Sequence, residues 1–341
     1  MRLASLLLLA SMAATPTFAA DAPPAPELPR LGVQAEGATV SGVSSGAYMA
    51  VQLHLSQGPL FARGVAAVAG GPFGCAQGSM LQALGPCLGR SPIDVPALVQ
   101  RTQDLVAKGE IPPLSAQHNA RVYLFSGAKD AVVNVATTQA LQAQLQALLP
   151  QAQIAMRTDV PAAHGWVADR EGSDCDRMAA PFVLKCGFDL AGALLQHLLG
   201  PLDARAESVP EGELRAFDQR PFHLGPDMGP QGFVFVPKAC EAGGCRVHVA
   251  LHGCQMNAGF VGDAFARRSG LNEWAATNRL VVLYPQTGPG AVNGCWDWWG
   301  YTGAAHLGQQ APQMKAMAAM VRHLAEPSPA PQGAKPPPKA L

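Results

Sequence analysis

Charged side chains are scarce in this sequence, which has 341 residues of which only 14% are Asp, Glu, Lys or Arg. The 24 basic and 24 acidic residues give a formal net charge of zero, and the basic residues form no dense run. Binding to nucleic acid or to an anionic membrane surface depends on clustered positive charge. We therefore expect neither as a partner.

Long hydrophobic runs are absent beyond the first 20 residues. Arg2 is followed by an apolar stretch over residues 3–14 and by small residues up to Ala20. This pattern is typical of a secretory signal peptide, and it is too short for a transmembrane helix. We predict cleavage near Ala19 or Ala20, with export to the periplasm or the exterior. Because no later run reaches about 18 apolar residues, no integral membrane segment is expected.

Metal-binding cysteine motifs are missing as well. The sequence has no C-x-x-C pair, and its histidines are not clustered with its eight cysteines. We therefore expect no metal and no cofactor. An even number of cysteines in an exported chain is typical of disulfides, and we predict three pairs of near neighbours and a fourth pair that closes a longer loop, although other connectivities are possible. The predicted pairs are Cys75–Cys87, Cys175–Cys186, Cys240–Cys245 and Cys254–Cys295.

A strand, a tight turn and a helix are predicted around residues 39–53. The turn contains Gly42-Val43-Ser44-Ser45-Gly46, a G-x-S-x-G pattern that is typical of a nucleophilic serine between a strand and a helix. The literal match selects Ser44, and Ser45 is the alternative, because spacing alone does not distinguish them. A turn in which the serine only caps the helix would give the same short pattern.

Two further candidates follow predicted strands. Asp130 comes just after the strand at residues 121–126, and His164 follows the strand at residues 153–158. Alternating strands and helices favour a mostly parallel sheet with helices on both faces, and such sheets place their chemistry at the carboxyl ends of the strands. Serine, aspartate and histidine occur here in the chain order of the α/β-hydrolase triad.

A second motif follows the predicted strand at residues 246–251, which runs into His252-Gly253-Cys254. Many esterases place an oxyanion-hole N–H group at such a turn. In the usual hydrolase order this strand precedes the nucleophile, whereas here it follows by about 200 residues. We therefore predict a circularly permuted α/β-hydrolase over residues 31–325. It lies between a Pro/Ala-rich leader at residues 21–30 and a disordered Pro-rich tail at residues 326–341.

The assembled motifs resemble the single-domain secreted poly(3-hydroxybutyrate) depolymerases of the fungal, circularly permuted type. The matching segments are Ser-Gly-Val-Ser-Ser-Gly-Ala-Tyr-Met-Ala-Val-Gln-Leu, Val-Ala-Gly-Gly-Pro-Phe-Gly-Cys, His-Val-Ala-Leu-His-Gly-Cys, Val-Leu-Tyr-Pro-Gln and Asn-Gly-Cys-Trp-Asp-Trp. They lie between residues 41 and 298. The family's cysteine pattern also implies the four pairings given above.

The resemblance implies a role for each matched residue. The family has Ala-Ser-Gly-Gly where this chain has Ser44-Ser45-Gly46-Ala47, which implies that Ser45 is the nucleophile. It also implies Asp130 as the acid, His164 as the base, the N–H groups of Gly46 and Cys254 as the oxyanion hole, and Trp298 in the substrate crevice. Ala47 departs from the family's second glycine.

The function implied is that of a monomeric serine esterase acting on a polyester or oligoester substrate of the 3-hydroxyalkanoate type. Two alternatives remain open on the sequence. The first is a carboxylesterase of the feruloyl or acetyl-xylan kind, whose sequences share His-Gly-Cys, Tyr-Pro and Cys-Trp motifs. The second is a catalytically inactive polymer-binding protein, against which the presence of Ser45, Asp130 and His164 argues.

Overall fold

The computed structural model describes residues 25–208 and 214–328, and their strands form two sheets. The strands of the larger sheet are β1 (Gln34–Val43), β2 (Gly64–Val68), β3 (Arg121–Phe125), β4 (Gln153–Arg157), β8 (Leu214–Asp218), β9 (Gln231–Phe235), β10 (Arg246–Leu251) and β11 (Leu280–Tyr284). The strands of the smaller sheet are β5 (Trp166–Ala168), β6 (Ser173–Asp174) and β7 (Val183–Lys185). The α-helices are α1 (Ser45–Ser56), α2 (Met80–Leu84), α3 (Val95–Ala107), α4 (Val135–Leu148), α5 (Leu190–Leu199), α6 (Ala258–Val261), α7 (Ala264–Arg268), α8 (Leu271–Thr277) and α9 (Pro312–Ala325).

The larger sheet has the strand order β4-β3-β2-β1-β10-β11-β9-β8. From β4 to β11 all neighbours are parallel, and β9 and β8 add antiparallel pairs at one end. Within β2, Val65 and Ala67 face the cluster that contains side chains of α1 and α9. The alternate residues Ala66 and Val68 face the cluster with α5 and α8. The predicted mostly parallel sheet with helices on both faces is therefore confirmed.

The two halves of the sheet meet where β1 pairs with β10, with Val40 opposite Val249. Strands from the later part of the chain thus lie beside the strand that leads into the serine turn. Near the ends of the described residues, the Leu31 and Val33 N–H groups donate to the Leu324 carbonyl at 3.0 and 3.3 Å. This arrangement is compatible with a circular permutation, which itself stays a prediction.

Parts of the predicted leader and tail pack against the domain. Leu28 is buried, and the Gly32 N–H donates to the Glu326 carbonyl at 2.8 Å. The Ser328 hydroxyl donates to the Arg30 carbonyl at 2.7 Å. Residues 326–328 are therefore held in place, which the prediction of a disordered tail did not anticipate. The predicted signal peptide and residues 329–341 lie outside the described range.

All four predicted disulfides are confirmed. They join Cys75–Cys87, Cys175–Cys186, Cys240–Cys245 and Cys254–Cys295. Disulfides of this number point to an oxidising compartment outside the cytoplasm. Among the helices that could be described, none is both long and apolar enough to cross a bilayer.

Three fully buried histidines predict that acid destabilises the fold. Burial lowers the pKa of His54 to about 4, that of His248 to about 3 and that of His252 to about 4. The unfolded chain binds protons on these imidazoles near pH 6.5, whereas the native state does not. Their stabilising contribution is thus complete above that pH and is lost as the pH falls. Three protons correspond to about 4 kcal/mol of unfolding free energy per pH unit between about pH 6 and pH 4.5.

Urea unfolding at a series of pH values measures this slope. His248→Gln is expected to make it shallower, and the exposed His118 provides the matched control His118→Gln, which is expected to leave it unchanged. An unfolding free energy that does not decrease between pH 6 and pH 4.5 would contradict the prediction.

Candidate active site

Ser44 lies at the tight turn between β1 and α1. Its backbone has φ 56° and ψ −121°, a conformation that costs free energy for a residue with a side chain and is typical of a nucleophile elbow. The two glycines of the pattern make this turn possible. A Cβ on Gly42 would lie 2.1 Å from the Gly46 carbonyl oxygen, and one on Gly46 would lie 2.4 Å from that of His252.

Ser44, His164 and Asp130 form a continuous hydrogen-bonded chain. The Ser44 Oγ lies 2.9 Å from His164 Nε2, and His164 Nδ1 lies 2.8 Å from Asp130 Oδ2. The other carboxylate oxygen of Asp130 accepts from the N–H groups of Val132 and Val133 at 2.8 and 2.9 Å. Asp130 follows the end of β3 and His164 follows β4. The sequence therefore located both loops correctly.

Ser45 does not take part in this chain, which corrects the expectation that it is the nucleophile. It is the first residue of α1 and is buried. Its Oγ accepts a long hydrogen bond of 3.4 Å from the Trp296 N–H, and His164 Nε2 faces Ser44 instead. The strained turn residue is Ser44, so the geometry favours the literal G-x-S-x-G match over Ser45, which the resemblance implied.

This shift also changes the expected oxyanion donors. In a nucleophile elbow the first donor is the N–H of the residue after the serine, which here is Ser45 and not Gly46. Cys254 is still expected to provide the second donor, because Gly253 beside it lies against Ser44. A Cβ on Gly253 would lie 3.3 Å from the Ser44 Cβ. Within the described residues, the N–H groups of Ser45 and Cys254 have no acceptor.

The predicted departure at Ala47 is accommodated by the neighbouring strand end. Ala47 is fully buried, and a Cβ on Gly70 would lie 2.5 Å from the Ala47 Cβ. The methyl group thus occupies space that Gly70 leaves free. The turn geometry does not require a glycine at position 47.

Ser44 and His164 open into a cavity of 320 Å³ whose lining is mainly apolar. Trp298 lines it and stacks on Tyr48, with ring centroids 4.1 Å apart and planes 15° apart. Trp299 also lines the cavity, edge-on to Trp298, whereas Trp296 is fully buried in the core. Trp298 therefore lies in the crevice where the resemblance placed it.

Several lining residues were missed by the sequence reasoning. Met80, Leu84, Met178 and Val292 line the cavity and have 44%, 54%, 50% and 44% of their surface exposed. Exposed large apolar side chains around one opening form an apolar rim. They come from α2 and from loops, where no periodic pattern in the sequence marks them.

Side chains that could bind a metal ion are not clustered in the part of the chain that the structure describes. There, no three His, Cys, Asp or Glu side chains are grouped so as to hold a metal ion. The reactive groups brought together at this site are the Ser44 hydroxyl, the His164 imidazole and the Asp130 carboxylate.

Comparison with curated proteins identifies two relatives. The chain is 44% identical over 300 residues to a poly(3-hydroxybutyrate) depolymerase of Delftia acidovorans, with 86% of this chain and 60% of that protein covered. It is 31% identical over 317 residues to a polyhydroxybutyrate depolymerase of Talaromyces funiculosus, with 87% of this chain and 92% of that protein covered. The chain thus spans less than two thirds of the Delftia protein. No protein-family model matches the chain.

Two solved structures share the fold. One is the crystal structure of a PHB depolymerase from Penicillium funiculosum, with a TM-score of 0.80, 29% identity and coverage of 88% of this chain and 98% of that chain. The other is a serine-to-alanine variant of a PHB depolymerase in complex with an R3HB trimer, with the same scores and coverage. The fold is therefore that of an α/β-hydrolase, and the chain belongs to the polyhydroxybutyrate depolymerase family.

Proposed function

We propose that this protein is a serine esterase that hydrolyses the ester bonds of poly(3-hydroxybutyrate) or of its oligomers. The observation that carries the proposal is the hydrogen-bonded chain Ser44–His164–Asp130, whose serine and histidine line an apolar cavity. Family membership supports it, as does the R3HB trimer bound by a structural neighbour.

The first half of the reaction follows from the distances at Ser44. The hydroxyl attacks the ester carbonyl carbon while His164 Nε2, 2.9 Å away, accepts its proton. Asp130 holds the imidazole with its Nδ1 protonated and stabilises the imidazolium that forms. The carbonyl oxygen becomes negatively charged, and the Ser45 and Cys254 N–H groups stabilise it. The intermediate collapses, the alkoxide leaves with the proton from His164, and an acyl-Ser44 ester remains.

The second half reverses the proton transfers. Water attacks the acyl-Ser44 carbonyl while His164 accepts a proton from it. A second tetrahedral intermediate forms at the same N–H groups. When it collapses, His164 returns the proton to the Ser44 Oγ, and a hydroxyacid is released with a free carboxylate.

The lining of the cavity supports a neutral aliphatic substrate. Among the described residues that line the cavity, no Lys, Arg, Asp or Glu is present. A charged or sugar-rich substrate would leave its polar groups unpaired against this surface, which costs free energy. Trp298 and Tyr48 line the cavity and offer apolar ring surface to the methyl and methylene groups of a polyester chain.

The four disulfides support a protein that acts outside the cytoplasm. We place the catalytic domain at residues 31–325 and expect it to act as a monomer. Removal of a signal peptide near Ala19 or Ala20 would bring it to the periplasm or the exterior. Mass measurement of the exported protein tests the cleavage site.

The substrate is tested by comparing five kinds of ester. We expect release of 3-hydroxybutyrate or its oligomers from amorphous poly(3-hydroxybutyrate) granules, together with hydrolysis of soluble oligomers and p-nitrophenyl butyrate. Feruloyl esters and acetyl-xylan are expected to react poorly because the rim is apolar. Hydrolysis of the oligomers alone would restrict the proposal to an oligomer hydrolase. Activity confined to feruloyl or acetyl-xylan esters would overturn it.

A matched pair of surface variants separates adsorption to granules from catalysis. Leu81 on α2 is 82% exposed beside the rim residues Met80 and Leu84, whereas Leu224 is 91% exposed and lines no part of the cavity. Leu81→Glu is expected to slow granule hydrolysis about tenfold, since a charge at the rim must be desolvated against a polymer surface. Hydrolysis of soluble oligomers is expected to change less than about twofold, and Leu224→Glu is expected to affect neither.

A further inference from the structure

We infer that His252 is a positioning residue that holds the Cys254 N–H toward the oxyanion, an inference that rests on the proposed esterase function. His252 is fully buried and does not line the cavity. It therefore does not contact the substrate, and its influence must pass through the backbone beside it.

Three of the four backbone N–H groups that follow His252 have an acceptor. The Gly253 N–H is directed to the Met256 sulfur at 3.3 Å. The Gln255 N–H donates to the Asn293 carbonyl at 3.1 Å, and the Met256 N–H donates to the Gly253 carbonyl at 3.3 Å. Within the described residues, Cys254 alone of these four has an N–H without an acceptor. A backbone donor left free inside a protein is costly unless a ligand or water satisfies it.

The direction of the Cys254 N–H is fixed by the peptide plane that carries it. The Gly253 carbonyl and the Cys254 N–H belong to the same trans peptide, so they point in opposite directions. His252 Nδ1 lies 2.7 Å from the Gly253 oxygen. A hydrogen bond that fixes the direction of the Gly253 carbonyl therefore also fixes the opposite direction of the Cys254 N–H.

The tautomer of His252 follows from the hydrogen bond at its Nε2. The Thr287 N–H donates to His252 Nε2 at 3.2 Å, so this nitrogen carries a lone pair and the proton is on Nδ1. His252 thus donates to the Gly253 carbonyl. Burial lowers the pKa of His252 to about 4, which keeps the imidazole neutral near pH 7. The Trp296 indole N–H donates to the His252 carbonyl at 3.0 Å and further restrains the residue.

The test compares two amide replacements at His252. The amide nitrogen of asparagine falls near the position of Nδ1, whereas the amide of glutamine falls near Nε2. His252→Asn is expected to retain donation to the Gly253 carbonyl and to keep kcat within about fivefold. His252→Gln is expected to lower kcat about 10- to 100-fold with KM for p-nitrophenyl butyrate changed less than about threefold, because a misdirected oxyanion donor weakens the transition state more than the ground state.

Two further measurements separate this role from a loss of stability. An alkyl trifluoromethyl ketone adds to the nucleophile and places an oxyanion in the hole, so His252→Gln is expected to weaken its inhibition by the same factor as kcat/KM. The matched control is His248→Gln, on the strand that leads into His252, whose ring bonds to Thr39 and Ser41 at 2.8 Å. We expect this control to lower the unfolding midpoint while ketone inhibition and kcat stay within about threefold.

Either of two results would overturn the inference. One is a folded His252→Gln protein that keeps wild-type kcat and ketone affinity. The other is a loss in His252→Asn equal to that in His252→Gln. A wild-type protein that hydrolyses no ester and is not inhibited by the ketone would instead refute the proposed function, so the two failures are distinguishable.

Discussion

Replacing Ser44 by alanine is expected to reduce ester hydrolysis by about 10⁴- to 10⁶-fold. The Ser44 Oγ is the hydroxyl that lies 2.9 Å from His164 Nε2, so the variant lacks both the nucleophile and the proton that the imidazole accepts. The residual rate would come from binding and from the oxyanion N–H groups alone. The turn should persist, because the Ser44 N–H and carbonyl, which bond to Val68 and Ala47, are retained.

The adjacent serine is the matched control for this prediction. Ser45→Ala removes a hydroxyl whose contact is the 3.4 Å hydrogen bond from the Trp296 N–H, and it leaves the Ser45 backbone N–H in place. We expect it to retain activity within about tenfold, since a weak hydrogen bond contributes little. Initial rates with p-nitrophenyl butyrate measure both variants. An active Ser44→Ala protein together with an inactive Ser45→Ala protein would return the nucleophile to Ser45.

The second large effect is expected for Asp130→Asn, which should lower kcat about 10⁴-fold. The N–H groups of Val132 and Val133 donate to Asp130 Oδ1, and they will keep the asparagine oxygen at that position. The amide NH2 then faces His164 Nδ1, where the carboxylate oxygen lay 2.8 Å away. The imidazole must present a lone pair at Nδ1 and carry its proton on Nε2. In that tautomer it cannot accept the Ser44 proton.

Asp176 provides the control for this substitution. It is exposed and pairs with Lys129 at 3.3 Å in the neighbourhood of the same loop, and exposed pairs contribute little to stability. Asp176→Asn is expected to leave kcat unchanged, and both variants are expected to unfold at temperatures close to the wild type. A kcat for Asp130→Asn within about tenfold of wild type would show that Asp130 does not fix the tautomer.

Much of the fold was predictable because its central strands carry a strong local pattern. The strand at residues 246–251 was predicted with the bounds that β10 has, and the loops with Asp130 and His164 were placed after the correct strands. The buried parallel strands are short, apolar runs bounded by glycine, proline or polar residues. The disulfides were predictable because three of the four link cysteines close in sequence.

The choice between Ser44 and Ser45 depended on tertiary packing. Both are small, polar and adjacent, and the difference is that α1 begins at Ser45 while Ser44 takes a positive φ. Gly42 and Gly46 must be glycines for the backbone to pass through the turn, and this requirement is visible only in the packed structure. The match to the family's Ala-Ser-Gly-Gly segment selected Ser45 instead, one position later in the chain.

The smaller sheet and β8 could not be predicted for a different reason. Strands β5, β6 and β7 have two or three residues each, which is too short for an alternating pattern to be recognised. β8 (Leu214–Asp218) includes Arg215 and lies at the edge of the sheet, so its sequence reads as a polar connection. The apolar rim around the cavity is likewise assembled from separate segments, and only the three-dimensional arrangement brings them together.

The most direct test of a Ser44-centred esterase is the site of covalent labelling by an alkyl p-nitrophenyl phosphonate. Such a reagent reacts with a serine that a neighbouring base activates, and it releases one p-nitrophenolate per active site. We predict stoichiometric release, loss of ester hydrolysis, and fragment ions that place the phosphonyl group on Ser44 in the peptide containing Gly42 and Gly46. A label on Ser45, or no label on a folded wild-type protein, would contradict the account.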